Sequence, residues 1–298
     1  MAKKILILTF LLLIILSTST AVTYVNANIQ NDTAVIGNEQ LIKQELPDYR
    51  PENKLVQKDD IEKNVAQTDI TSIGKVEYTI TEALEPIEVK INKRTIDPNK
   101  PMIAITYDDG PSKYTSEILN VLNENNSSAT FFVLGSRVNS NKDILNQMLE
   151  DGNQIGNHSY NHKNLTTISD KELYKQIKGT DDLIYIATGY TPSVMRPPYG
   201  ATNKELNNKI PKPIIKWSID TRDWENRNAE FITRTILEDV KDGDIILMHD
   251  IYDSTAQASN IVIPELIKRG FQLVTVDELF EYRESTITAG EQYYNVYK

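Results

Sequence analysis

Three histidines are all that this 298-residue chain contains: His158, His162 and His249. Two of them stand four apart in HSYNH, the repeat that puts two imidazoles on one face of a helical turn, where both can meet a single ion. A two-histidine site with open positions wants a carboxylate, and ITYDDGPS offers two, Asp108 and Asp109. By itself that stretch reads as a solvated turn, since Asp, Gly and Pro are ordinary turn residues. The histidine pair changes the reading. Neighbours at the end of a strand diverge, so one carboxylate, naturally Asp109, can bind a metal while Asp108 faces the water and acts as general base. Such a base needs its pKa and rotamer fixed, and Arg196 in RPPYG, backed by Pro197 and Pro198, is the candidate. His249 in IILMHD would alone read as a satisfied core histidine. Placed opposite a base it can protonate a leaving group, with Asp223 keeping it charged. Trp224 fits the core, the wall of a small apolar pocket or a stack against a sugar face equally well.

These residues need a frame that gathers them. From Pro101 onward strands and helices alternate, with strands predicted at 102–107, 129–134, 154–156, 194–196, 214–219, 244–248 and 271–275. Leu173, Ile177, Thr180 and Ile184 mark one face of a helix opened by a capping box of Ser169 and Glu172. Ile232, Ile236 and Val240 mark another, with Gly243 as its stop. Some seven β/α units imply a parallel sheet, either closed as a barrel or open and doubly wound. Both architectures collect functional residues at the C-terminal ends of their strands. Asp108 and Asp109 follow the first predicted strand, His158 the third, Asp220 and Asp223 the fifth and His249 the sixth, while Arg196 ends the fourth. One rim holds them all.

The remainder of the chain bounds the setting. A net charge of -10 and no basic cluster outside the N-terminus argue against nucleic acid, whose phosphates demand a basic face. Without cysteine there is no disulfide, thiolate nucleophile or Cys-ligated metal, so any ion rests on His, Asp or Glu. Lys3 and Lys4, the apolar run Ile5–Leu16 and small residues up to Ala27 match a signal peptide. An uncleaved membrane anchor is the alternative, because 5–25 approaches the ~20 residues that span a bilayer. Either way the rest of the chain is expected outside the cytoplasm. Residues 28–74 read as a polar flexible spacer and 75–100 as a short lead-in with a strand pair.

TYDDG, HSYNH, RPPYG, DTRDW and ILMH, in that order, resemble the five motifs of the polysaccharide deacetylases with NodB homology, carbohydrate esterase family 4. The resemblance covers roughly Pro101 to Glu281. It implies an α/β fold, a distorted (β/α) barrel of seven or eight strands, over a catalytic domain of 101–284 followed by a tail of 285–298. It implies metal-dependent removal of acetyl groups from a glycan, usually the N-acetyl of N-acetylglucosamine. Carried over by position, Asp108 is the catalytic base, and Asp109, His158 and His162 hold one divalent ion, zinc first, with cobalt or another divalent ion as alternatives. Arg196 holds Asp108, the backbone N–H of Tyr199 helps stabilise the oxyanion, and Asp223 tunes the general acid His249. Trp224 and Leu247 line the pocket for the acetyl methyl. The family's first motif more often has Phe where this chain has Tyr107, a position expected to face the barrel interior. The implied partner is a glycan, peptidoglycan first, with no nucleic acid, membrane contact through the N-terminal segment alone, and a monomeric state. Two other readings use the same residues: an O-acetyl esterase of the acetylxylan type, and an inactive glycan-binding wall protein, which would be expected to lack a base, acid or ligand that is present here.

Overall fold

Strand β1, Met102–Asp108, is buried along its whole length, and its period-two alternation sets the architecture. Ile103, Ile105 and Tyr107 enter the core beneath the outer helices, whereas Met102 and Ala104 enter a second core inside the barrel. Asp108 continues the inner series. The structure is a computed structural model that describes residues 94–298. The signal or anchor segment, the spacer and most of the lead-in with its strand pair lie outside the described residues. Among the described residues, no helix is long and apolar enough to cross a membrane.

Parallel neighbours of β1 are β2, Thr130–Val133, and β6, Ile245–His249; β3, Gln154–Asn157, follows β2, and β5, Ile219–Asp220, follows β6. A short β7, Gln272–Leu273, pairs with the start of β1. Register decides what meets at the rim: Asp108 lies between Phe132 and His249, and Val133 lies opposite Asn157, one residue before His158. Burial of each large aliphatic side chain in these strands contributes about 1.5–3 kcal/mol, so a one-residue slip is strongly opposed.

Three differences from the sequence reading follow from hydrogen bonds to distant parts of the chain. The expected strand 194–196 is a single bridge position, Met195, between Asn157 and Ile214, because Arg196 turns inward there. The expected strand 214–219 splits into β4, Ile214–Ile215, and β5, with the Lys216 carbonyl diverted to Arg196. The supposed tail is part of the barrel: β8, Gln292–Tyr293, pairs in parallel with β4, and Val296 is buried against the inner core. Tyr107 also departs from expectation. It faces the helices, stacked on Phe131 at 5.1 Å with its hydroxyl 2.8 Å from Ser259 Oγ, as the alternation of β1 requires.

Outside the sheet, the helix Asp170–Thr188 buries Leu173, Ile177, Thr180 and Ile184 as its spacing implies. Its capping box is only half formed. Ser169 Oγ accepts the Glu172 N–H at 3.3 Å, but the Glu172 carboxylate accepts from Lys163 and Gln176 instead. The helix Ala229–Asp239 ends at Val240, ahead of Gly243. Gly243 has φ 94 and serves a different end: a Cβ there would overlap the Val296 carbonyl where β8 closes. Gly243→Ala is therefore expected to cost about 1–3 kcal/mol, lowering the melting temperature by roughly 2–4 °C per kcal/mol. Gly179→Ala meets nothing within 4 Å in mid-helix. It should stabilise by about 0.5–1 kcal/mol, so thermal denaturation of the two variants should move in opposite directions.

Candidate active site

Arg196 is wholly buried, and each edge of its guanidinium is spoken for. Nε donates to the Ile215 carbonyl at 3.0 Å and Nη2 to that of Lys216 at 2.9 Å; Nη1 reaches Thr106 Oγ1 at 2.8 Å and Asp108 Oδ1 at 2.7 Å. The plane lies 4.3 Å from the Phe132 ring centroid, a cation–π contact out of water. Burial raises the pKa of Asp108, and it stays raised although the charges of Arg196 and His249 and the Arg196 hydrogen bond pull it down. Arg196, the candidate in RPPYG, and Asp108 thus form one buried ion pair. Asp108 Oδ2 is left toward His158 Nε2, 3.7 Å away.

Arg196 also acts through its backbone. Its carbonyl accepts from His158 Nδ1 at 2.6 Å, which leaves Nε2 as the lone-pair nitrogen. Burial pushes the His158 pKa down to about 3, against the pull of Asp109, so the ring is neutral as a ligand must be. The two histidines converge, but by a loop and not by a helical turn. Ser159 and His162 have φ 69 and 62. Asn157 Oδ1 accepts the Ser159 N–H at 2.8 Å, Ser159 Oγ accepts that of His162 at 3.1 Å, and Gln176 Oε1 accepts those of Tyr160 and Asn161. Asn157 and Gln176 escaped the sequence reading, although polar residues at buried positions of a strand and a helix were the signal that could have found them.

Asp109 leaves β1 with φ 73, and its Oδ1 lies 3.5 Å from His158 Nε2 and 3.4 Å from His162 Nε2. One ligand atom from each of the three residues falls within 4.8 Å of the others. Asp109 Oδ1 is buried without a hydrogen-bond partner. A buried carboxylate oxygen aimed at two imidazole nitrogens, with no donor of its own, fits a divalent cation.

On the next strand, His249 Nδ1 meets Asp223 Oδ1 at 2.7 Å. Asp223 is fully buried, and its Oδ2 accepts from the His249 N–H and the Thr255 hydroxyl, both at 2.7 Å. Burial lowers the His249 pKa, but the bond and charge of Asp223, with Asp108 and Asp109 behind it, win and raise it to about 9. A raised pKa favours the imidazolium form of His249, which stands on the strand next to the Asp108 carboxylate.

These groups floor a cleft of about 440 Å³ walled by Tyr199, Trp217, Trp224, Leu247 and Tyr252. Trp224 is 46% exposed, which removes its core reading, while Leu247, lining the same cleft, is buried. Tyr199 stands at φ 60 with its ring edge-on to His162 at 4.5 Å. Its neighbour Gly200 has φ 58, and a Cβ there would run into the Trp217 ring and Lys216 Nζ. Arg196 and Asp223 stay behind the cleft wall. Trp217 and Tyr252 were not singled out from sequence; only their places just after or before a strand end, in IIKWSID and HDIYD, pointed to them.

The polysaccharide deacetylase family model matches residues 95–212. Over 269 residues the chain is 39% identical to the peptidoglycan-N-acetylglucosamine deacetylase PgdA of Listeria monocytogenes, covering 89% of this chain and 54% of that protein. It is 44% identical over 193 residues to the peptidoglycan-N-acetylmuramic acid deacetylase PdaC of Bacillus subtilis, covering 64% of this chain and 41% of that one. The chain thus spans about half the length of these curated relatives. The solved PdaC structure has a TM-score of 0.63 at 44% identity, covering 63% of this chain and 94% of that one. A family 4 acetyl xylan esterase from Clostridium thermocellum, solved in complex with a cobalt ion, has a TM-score of 0.63 at 33% identity, covering 65% and 98%. By its fold and its sequence identity to these proteins, the chain belongs to the polysaccharide deacetylases, carbohydrate esterase family 4.

Proposed function

We propose that the chain hydrolyses the N-acetyl groups of N-acetylglucosamine residues in a cell-envelope glycan, peptidoglycan first. One observation carries this: an anchored carboxylate and a charged imidazole sit on adjacent strands of a single cleft, with three ligand atoms within 4.8 Å of one another at its floor. Asp109, His158 and His162 would hold a divalent ion, zinc first and cobalt as the alternative, which supplies the Lewis acidity that polarises a carbonyl and acidifies water.

Asp108, pinned by Arg196 at Oδ1, presents Oδ2 to take the proton of the attacking water. The Tyr199 amide, set by its left-handed backbone, is the donor assigned to the developing oxyanion. His249, held by Asp223, gives its proton to the departing amine, so the products are a glucosamine unit and acetate. Leu247 and Trp224 wall the space for the acetyl methyl. An O-acetyl esterase is the second reading, favoured by the acetyl xylan esterase neighbour. N-acetylmuramic acid is a further candidate sugar, suggested by the name of PdaC. The relatives named for peptidoglycan suggest action outside the cytoplasm. Export or anchoring through residues 1–27 and a monomeric state complete the proposal.

Acetate release from peptidoglycan, N-acetylglucosamine oligomers and acetylxylan tests it; release from acetylxylan alone would replace the amidase with the esterase. Asp108→Asn should keep its bound zinc and lose about 10²–10⁴-fold in turnover, whereas His158→Ala should lose both. Full activity of Asp108→Asn refutes the base. Because His249 acts in its protonated form, kcat/KM should fall as pH rises through about 9. Asp223→Asn removes the charge that raises that pKa, so its alkaline limb should move down toward the ordinary histidine value of about 6.5; an unmoved limb assigns the acid elsewhere.

A further inference from the structure

Asp250 is a buried acid that none of these steps uses. It follows His249, is 0% exposed, and lies with its carboxylate flat against Gly110, where any Cβ would overlap both oxygens. Oδ2 accepts the Thr115 hydroxyl at 2.5 Å, and Thr115 Oγ1 in turn accepts the Ser112 N–H at 2.8 Å. The Ser112 hydroxyl donates to the Asp250 carbonyl at 2.5 Å. From the other side, the Leu134 N–H donates to the Gly110 carbonyl at 3.0 Å. The turn that carries Asp109 out of β1 is thereby gripped between the end of β6 and the end of β2. Asp250 Oδ1 has no partner, and burying a carboxylate in this way is costly. Burial raises its pKa to about 7, with the charges of Asp109 and Asp108 adding to the rise. A solvated turn needs no such residue; a turn whose first side chain must stand in one place does.

We propose that Asp250 is a positioning residue for Asp109: through Gly110, Ser112 and Thr115 it fixes where the Asp109 carboxylate stands relative to His158 and His162, and it ties that cradle to the strand that carries His249. This rests on the reading that Asp109, His158 and His162 hold a divalent ion. Partners one step behind a metal ligand typically account for 10–100-fold in affinity.

The test titrates the full chain and its Asp250→Ala, Asp250→Asn and Thr115→Val variants with zinc and with cobalt against a chromophoric chelator. The visible spectrum of the cobalt-loaded protein and the melting temperature of the metal-free protein are recorded beside it. Asp250→Ala should bind both ions at least tenfold more weakly and show an altered cobalt spectrum. Asp250→Asn, which has the same shape and still accepts from Thr115, should restore most of the affinity and the spectrum, and Thr115→Val should fall between. A folded Asp250→Ala protein with affinity within twofold and an unchanged spectrum overturns the proposal. If Asp250→Ala does not fold, Thr115→Val decides by the same criteria. A parent chain that binds neither ion overturns the metal reading and this inference together, which separates that failure from loss of the positioning role alone.

Discussion

A guanidinium with no access to water is the constraint around which this barrel is arranged. A buried charge is tolerated only when paired and fully hydrogen-bonded, and removing one partner of such a pair costs about 3–5 kcal/mol. Arg196 meets that condition with two backbone carbonyls, a hydroxyl and Asp108. The demand shapes the chain on both sides. β4 breaks off after Ile215 because its next carbonyl turns to Arg196, and Thr106, two residues before the base on the inner face of β1, must carry a hydroxyl. Arg196 also orients His158 through its own carbonyl. Asp108 and His158 are therefore both held by one arginine, the first through its guanidinium and the second through its carbonyl.

Two buried aspartates on one rim are set apart by their partners. Asp108 and Asp223 are both buried aspartates paired with a cation. The partner of Asp108 is an arginine that never gives up its proton, so the carboxylate keeps the role of acceptor. The partner of Asp223 is an imidazole, so the proton in that pair is transferable. His158, a few ångströms away, is driven the opposite way by burial and stays neutral. Two buried ion pairs and one neutral imidazole thus stand in three different charge states on one rim.

Much of this was legible in the residues. The alternation of β1 and the scarcity of histidine pointed to the rim and to its ligands, because strand periodicity and ligand chemistry are local properties of a sequence. What the sequence could not show was long-range. HSYNH has helical spacing, yet Asn157 and Gln176 hold it as a loop, and Gln176 belongs to the following helix. Tyr107 was expected inside and lies outside, a matter of which face of β1 the closing strands leave inward. Gln292 and Tyr293 carry no strand signal of their own and form one only against Ile214 and Ile215. Glu172 fits a capping box, but Lys163 offers it a charge-assisted bond at 2.7 Å, and that competitor is invisible to the motif.

The cleft wall has an optical consequence. The chain contains two tryptophans, and both Trp217 and Trp224 line the cleft. One is packed beside Gly200 and the other stands half in solvent. Tryptophan emission from this protein therefore originates entirely at the mouth of the site, with no indole in the core to dilute it. Arrival of a sugar ring or acetate, or a shift of the Tyr199 loop, changes the surroundings of every indole the molecule has, so the protein carries its own fluorescent reporter of occupancy.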